Sequence, residues 1–208
     1  MRNIFAKIAA GFTGVVLALG LTTVASPATA NAASYCPPSV VMAVGGVGDG
    51  DARVYEGKAD VLVRYSGGLN AMEEGVVVLK GHSDWWRANC WNTDLTISGY
   101  SQGAAVAHVF LSRHGAEYHN VKNAVLYSDP KLNGRGSSDG LFLLGLSPVA
   151  GTDSNFGGVP TLQVCYLDDV ICNRSAPSGW IGYLTGKHGN YNLNPRADAG
   201  QSGERLYW

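Results

Sequence analysis

The stretch Gly99-Tyr100-Ser101-Gln102-Gly103 places a serine between two glycines, at the junction of two segments of different character. The apolar residues 95–97 precede it and predict a strand, whereas the alanine-rich residues 104–111 follow it and predict a helix. In a strand, sharp turn and helix of the pattern G-x-S-x-G, the small flanking residues tolerate a strained backbone and the hydroxyl points outward. The pattern therefore predicts a nucleophilic Ser101 at the end of a strand, with its hydroxyl above the sheet.

The rest of the chain alternates predicted strands with predicted helices. We expect strands at residues 40–44, 59–65, 95–99, 121–127 and 160–166, and helices at residues 69–88 and 101–113. Such alternation favours an α/β three-layer sandwich with a central, mostly parallel sheet of about five strands. In that setting G-x-S-x-G is the nucleophile elbow of α/β-hydrolases. We expect a compact form of that fold, because the sheet and its helices leave too little chain for a large lid.

The amino-terminal residues have the pattern of a cleaved secretory signal peptide. Arg2 and Lys7 come first, an apolar run covers residues 8–24, and two A-x-A sites end at Ala30 and Ala32. A retained membrane anchor is the alternative, but glycine and threonine dilute the apolar run. We therefore expect cleavage after Ala30 or Ala32 and a secreted protein, either extracellular or associated with the cell envelope.

Removal of the signal peptide at residues 1–32 leaves residues 33–208, which is the length of one domain with a full core. The net charge of the whole chain is -1, and the removed segment carries basic but no acidic side chains, so the remainder is more acidic. No run of lysine or arginine offers a surface for nucleic acid. We expect a monomer that does not span a membrane.

Four cysteines follow the signal peptide: Cys36, Cys90, Cys165 and Cys172. An even number in an exported chain favours disulfides, and the Cys-x-x-Cys spacing typical of zinc sites is absent. Three pairings are possible. Because Cys165 and Cys172 are close enough in sequence to close a single loop, we favour that pair, which leaves Cys36 for Cys90.

A nucleophilic serine needs a base and an acid, which in this fold follow it in the order acid, then histidine. Among the five histidines, His188 alone lies far enough downstream, and its glycine-rich loop suits a general base. The others precede Ser101 or lie in or just after its helix, and we interpret them as solvated or helix-end residues: His82, His108, His114 and His119. Asp168 and Asp169 both follow the strand at 160–166, so both are candidates for the acid.

The oxyanion of the reaction needs two backbone amides in this fold. One belongs to the residue after the nucleophile, Gln102, and we expect the second from Gly46 or Val47 in the glycine-rich loop 45–50. The same glycines do not form a nucleotide site, because Asp51 stands where either phosphate-binding pattern requires glycine or lysine. We expect neither a metal nor an organic cofactor.

Together these motifs resemble the cutinase superfamily of serine esterases, including cutinase-like and PE-PPE-type esterase domains of actinobacteria. Cys90 stands eleven residues before Ser101, as the family's cysteine does, and Gly-Tyr-Ser-Gln-Gly is the family's own elbow. Residues 127–130 resemble the end of a family strand, with Ser128 in place of the family's glycine. Cys165, Asp169 and Cys172 have the family's spacing of cysteine, acid and cysteine. The loop 45–48 is similar to the family's Gly-Gly-Thr-Gly loop.

This resemblance implies that Asp169, rather than Asp168, is the acid of a triad with Ser101 and His188. It further implies a serine carboxylic-ester hydrolase that forms an acyl-enzyme with an acyl ester, lipid or polyester. An envelope-lipid hydrolase acting on mycolyl esters, phospholipids or thioesters is the alternative. A catalytically silent, disulfide-stapled envelope protein is a third interpretation.

Four large side chains lie just before His188: Trp180, Ile181, Tyr183 and Leu184. They are candidates for an apolar wall that contacts the acyl chain. The same spacing is typical of a helix that packs one face on the core, so the sequence leaves both interpretations open.

Overall fold

The computed structural model of the protein describes residues 36–132 and 155–208. The expected signal peptide at residues 1–32 lies outside this part of the chain. The strands are β1 (Ser39–Val44), β2 (Val61–Val63), β3 (Asp94–Tyr100), β4 (Val121–Tyr127), β5 (Thr161–Tyr166) and β6 (Gly203–Tyr207). The helices are α1 (Met72–Asn89), α2 (Gln102–His114), α3 (Gly179–Leu184) and α4 (Pro195–Asp198). Among the described residues, no helix is both long enough and apolar enough to cross a membrane.

The described strands form one sheet in the order β2-β1-β3-β4-β5-β6, and every pair of neighbours is parallel. The chain places β2 on one side of β1 and then returns to place β3 on the other side. Sites in parallel α/β sheets form at the carboxyl ends of strands where the direction of winding reverses in this way. Val44 of β1 lies beside Gly99 of β3, so the loop after β1 meets the turn after β3 at this point.

The expected α/β fold with a mostly parallel sheet is confirmed, and the structure adds the edge strand β6, which the sequence analysis did not anticipate. Residues 203–207 include Glu204 and Arg205 and lie partly exposed at the edge of the sheet. A strand with so little apolar character forms because it pairs with β5. The pattern of apolar residues in this segment does not by itself predict a strand.

The strands are buried on both faces, as expected for a parallel sheet covered by helices. Along β4, Ala124 and Leu126 belong to the core under α1 and α2, whereas Val125 and Tyr127 belong to the core on the opposite face. A short 3₁₀ turn at Arg53–Tyr55 and the residues around Tyr191 help to cover that second face. The sheet is therefore held from both sides at the strands that carry the site.

The first turn of α2 packs directly against the end of β1. A Cβ on Gly103 would lie 2.2 Å from the carbonyl oxygen of Val44 and 2.4 Å from that of Gly45. These distances are far below any tolerated contact, and the neighbouring atoms are backbone. Position 103 therefore requires glycine for a packing reason.

We expect Gly103→Ala to lower the free energy of unfolding by about 1–3 kcal/mol or more, because the added methyl forces backbone atoms apart. Gly81→Ala is the matched control. Gly81 lies exposed in α1 with nothing within 4 Å of an added Cβ, so this change should raise stability by about 0.5–1 kcal/mol. Chemical denaturation measures both values, and equal effects of the two changes would contradict the packing argument.

Candidate active site

Ser101 lies at the apex of the turn between β3 and α2 with φ 56° and ψ -123°. Positive φ is uncommon for a residue with a side chain and costs on the order of 1–3 kcal/mol. The surroundings hold the conformation: the Ser101 amide donates to the Tyr127 carbonyl at 3.0 Å, and the Ser101 carbonyl accepts from the Ala104 amide at 2.9 Å. The expected elbow is present in its strained form.

The structure brings Ser101, His188 and Asp169 together although they are far apart in the sequence. Nε2 of His188 lies 2.9 Å from Oγ of Ser101, and Nδ1 of His188 lies 2.9 Å from Oδ2 of Asp169. Both are ordinary hydrogen-bond distances. His188 begins the 3₁₀ turn His188–Asn190 and is itself buried. The imidazole therefore bridges the serine hydroxyl and the carboxylate.

Asp169 is fully buried and strongly hydrogen-bonded. Besides His188, its Oδ2 accepts from Oγ of Ser128 at 2.5 Å and from the hydroxyl of Tyr191 at 2.9 Å, and its Oδ1 accepts from the Ile171 amide at 3.0 Å. Burial acts to raise the pKa of Asp169, but the hydrogen bond and charge of His188, with the bonds from Ser128 and Ile171, outweigh it and lower that pKa. The carboxylate is ionised at neutral pH.

Asp168, the neighbouring candidate, points elsewhere. Its Oδ1 accepts from the Ser178 hydroxyl at 2.6 Å and from the Ser178 amide at 2.9 Å, just before α3 begins. These two bonds lower the pKa of Asp168. The structure thus places one aspartate beside the imidazole and uses the other to anchor α3.

Both disulfides form in the favoured pairing. Cys165 and Cys172 close a short loop around Asp169 with a Cα–Cα distance of 5.9 Å, and Cys36 and Cys90 are joined at 5.4 Å. Both sulfurs of the first bridge belong to buried residues. The loop that carries the carboxylate is therefore covalently closed.

The three residues expected to stabilise an oxyanion lie around Ser101. A Cβ on Gly46 would be 3.1 Å from Cβ of Ser101, and Val47 lines the same cavity, so the loop after β1 contacts the serine. Gln102 is the first residue of α2. The geometry brings all three to the serine and leaves the choice between the Gly46 and Val47 amides open.

The Gln102 side chain ties the elbow directly to the loop after β2, and through Tyr65 to the loop after β1, a role that the sequence analysis missed. Its Nε2 donates to the carbonyls of Gly68 and Leu69 at 2.9 and 3.0 Å. The Tyr65 hydroxyl lies 2.9 Å both from Oε1 of Gln102 and from the Gly45 carbonyl. No sequence pattern links Tyr65 to Gln102, because the contact depends on how the sheet folds.

Two tyrosine rings lie against the His188 imidazole. The centroid of the Tyr100 ring is 5.1 Å from that of the imidazole with 25° between the planes, and the centroid of the Tyr183 ring is 5.0 Å away with 31°. The Tyr100 hydroxyl also donates to the His188 carbonyl at 2.6 Å. The position of Tyr100 directly before Ser101 is the one sequence signal that could have indicated this contact.

A cavity of about 570 Å³ opens beside Ser101 and His188, and its lining is largely apolar. The apolar side chains are Val47, Val54, Leu69, Tyr100, Ile171, Trp180, Tyr183 and Leu184. Three of the four residues proposed as an acyl wall therefore face the cavity. The fourth, Ile181, lies exposed on α3 and lines a different surface. The arrangement can hold an apolar chain next to the serine.

The interpretation of His108 as a solvated or helix-end histidine was wrong. His108 is buried in α2, and its Nδ1 lies 2.6 Å from Oδ2 of Asp129. Asp129 also accepts from the side-chain amide of Gln163 at 2.9 Å. Asp129 lies far along the chain from His108, so helix position alone gave no sign of the pair.

A strained serine, a bridging histidine and a buried aspartate lie together at the switch point of a parallel sheet, which is the arrangement expected in the α/β-hydrolase fold. The family model described as Cutinase matches residues 17–194 of the chain. The protein belongs to the cutinase family.

One solved structure shows the same fold at low sequence identity, and two others are similar to a lesser degree. A cutinase-like protein from Cryptococcus sp. is 20% identical with a TM-score of 0.52, over 69% of this chain and 82% of that one. An acetyl xylan esterase is 17% identical with a TM-score of 0.48, over 74% and 95%. Trichoderma reesei cutinase with a phosphonate inhibitor is 17% identical with a TM-score of 0.37, over 48% and 59%. No curated protein matches the sequence significantly.

Removal of each disulfide should lower the free energy of unfolding by a different amount, and only removal of Cys165–Cys172 should loosen the loop around Asp169. Replacing Cys165 and Cys172 by alanine should cost about 2 kcal/mol of unfolding free energy, and replacing Cys36 and Cys90 about 4 kcal/mol, because the second bridge closes a longer loop. Hydrogen exchange should show faster exchange at the Asp169 and Ile171 amides in the first variant. Protection of these amides that is equal in both variants would disprove a local role for the short loop.

Proposed function

We propose that the protein is a secreted serine carboxylic-ester hydrolase that acts through Ser101, His188 and Asp169. The observation that carries the proposal is the position of His188, within 2.9 Å of both Ser101 Oγ and Asp169 Oδ2. Membership of the cutinase family supports an ester as substrate. The two disulfides support an oxidising compartment outside the cell.

In the first half of the reaction, Oγ of Ser101 attacks the ester carbonyl carbon while Nε2 of His188 takes the hydroxyl proton. The negative charge that moves to the carbonyl oxygen is held by the amide of Gln102 and that of Gly46 or Val47. When the tetrahedral intermediate collapses, the alkoxide leaves as an alcohol with the proton from His188. The acyl group stays on Ser101.

In the second half, water attacks the acyl carbon while His188 takes one of its protons. Collapse of this second intermediate returns the proton to Ser101 Oγ and releases the carboxylic acid. Asp169 remains ionised throughout and holds the imidazole with Nε2 toward the serine, since the hydrogen bonds that lower its pKa favour the carboxylate. Loss of one oxyanion donor would raise the barrier by about 3 kcal/mol.

The cavity supports an acyl ester with an apolar chain. Val47, Leu69 and Leu184 at its border are substantially exposed, so an apolar chain bound there would remove this surface from water. The side chains that line it offer few polar groups for an acyl chain to desolvate. Lipids and polyesters are the substrate classes that fit such a surface.

Hydrolysis of p-nitrophenyl esters from butyrate to palmitate tests the proposed function. Ser101→Ala and His188→Ala should remove nearly all turnover. Asp169→Asn should reduce kcat by about 10⁴ because it leaves the imidazole in the wrong tautomer. Asp168→Asn is the matched control and should leave kcat within about twofold, because Asp168 bonds to Ser178 instead.

A phosphonate probe separates an inactive scaffold from an enzyme of narrow specificity. The proposal expects the probe to label Ser101 in the wild type and not in Ser101→Ala. A folded, disulfide-bonded wild type that neither hydrolyses any of the esters nor reacts with the probe would refute the enzyme assignment.

Leu184 and Ile181 offer a direct test of the acyl wall. Leu184→Ser should raise KM for the palmitate ester by about tenfold and leave the butyrate ester nearly unchanged, because only the long chain reaches this side chain. Ile181→Ser on the same helix should change neither KM, since Ile181 does not line the cavity. Equal effects of both changes on palmitate would show that α3 acts through its stability and not through contact.

A further inference from the structure

Ser128 has an unusual backbone for a residue with a side chain. It follows β4 directly, is fully buried and has φ 52°. Glycine adopts this conformation without cost, whereas a residue with a Cβ pays on the order of 1 kcal/mol. The Ser128 amide donates to the Val164 carbonyl at 2.9 Å, so the backbone is fixed in place. A strained, buried serine therefore stands at a position where glycine would fit without strain.

The Ser128 hydroxyl contacts both partners behind the nucleophile. Its Oγ donates to Oδ2 of Asp169 at 2.5 Å and lies 2.9 Å from Nδ1 of His188. A hydroxyl has one hydrogen, and an ionised carboxylate can only accept, so the hydrogen points to Asp169. The lone pairs of Oγ are then free to face the N–H of His188. The Nδ1 proton is thereby shared between Asp169 and Ser128.

We propose that Ser128 is a positioning residue for the hydrolysis, which holds the Asp169 carboxylate and the His188 imidazole in one hydrogen-bonded arrangement. The inference rests on the proposed function of the triad. Without the hydroxyl, Asp169 keeps its bonds from Tyr191 and Ile171, but it loses the short bond on the oxygen that faces His188. The carboxylate is then free to turn, and the imidazole is held less precisely.

The test compares Ser128→Ala and Ser128→Gly with the wild type. Both variants lose the hydroxyl, and the glycine variant also relieves the backbone strain, so it should be the more stable of the two. We expect kcat to fall about tenfold in both and KM to change less than about twofold. The NMR resonance of the His188 Nδ1 proton should also move in both variants, because that proton loses one of its two acceptors.

Ser178→Ala is the matched control. Its hydroxyl also donates to a carboxylate, that of Asp168, in the neighbouring stretch of chain but away from the imidazole. This variant should leave kcat and the resonance of the His188 Nδ1 proton unchanged. Any loss of activity from loosening the 165–178 region in general would appear here too.

The outcomes separate the inference from the function on which it rests. Wild-type kcat in folded Ser128→Ala and Ser128→Gly would overturn the role of Ser128, as would a lower kcat with an unmoved resonance of the His188 Nδ1 proton. Wild type without turnover or probe labelling of Ser101 would instead overturn the proposed function. The resonance of the His188 Nδ1 proton decides the role of Ser128 even then, because its measurement needs no substrate.

Discussion

The close packing of the turn after β3 against the end of β1 is the contact on which the rest of the site depends. Gly103 lies against the carbonyl oxygens of Val44 and Gly45, and a Cβ on Gly99 would lie 2.3 Å from the Gly103 carbonyl. This compact turn forces Ser101 into a positive φ and lifts its hydroxyl above the sheet. It also brings the loop after β1 against Ser101. One packing contact thus positions both the nucleophile and the expected oxyanion donors.

Local pattern was sufficient to predict strands β1 to β5, the two long helices, and Ser101 and His188 as candidate site residues. The strand at residues 121–127 has the predicted bounds, and β1, β3 and α2 begin or end within one residue of expectation. Periodicity over a few residues carries this information because strands and helices bury their faces in a regular way. The order of serine, acid and histidine along the chain then narrowed the choice of base to His188. These inferences need no knowledge of which strands are neighbours.

Contacts between residues far apart in the sequence could not be predicted from local patterns. The choice between Asp168 and Asp169 required a family resemblance, because two adjacent carboxylates after a strand give the same local signal. Tyr65 and His108 find partners far away in the sequence, and β6 exists only because β5 offers it an edge. Buried polar groups must be paired to be stable, but their partners are decided by the fold and not by spacing.

Two serines at the ends of neighbouring strands explain why the imidazole has a single orientation. Tyr100 of β3 lies beside Tyr127 of β4, so Ser101 and Ser128 occupy equivalent positions one residue further on, and both have positive φ. Their hydroxyls approach opposite nitrogens of His188, each at 2.9 Å. In a parallel sheet such positions lie about 4.8 Å apart, so the two neighbouring strands present one hydroxyl to each nitrogen of the ring. Ser101 approaches Nε2, and Ser128 approaches Nδ1 on the side of Asp169. The positive φ of both serines turns the chain toward the ring.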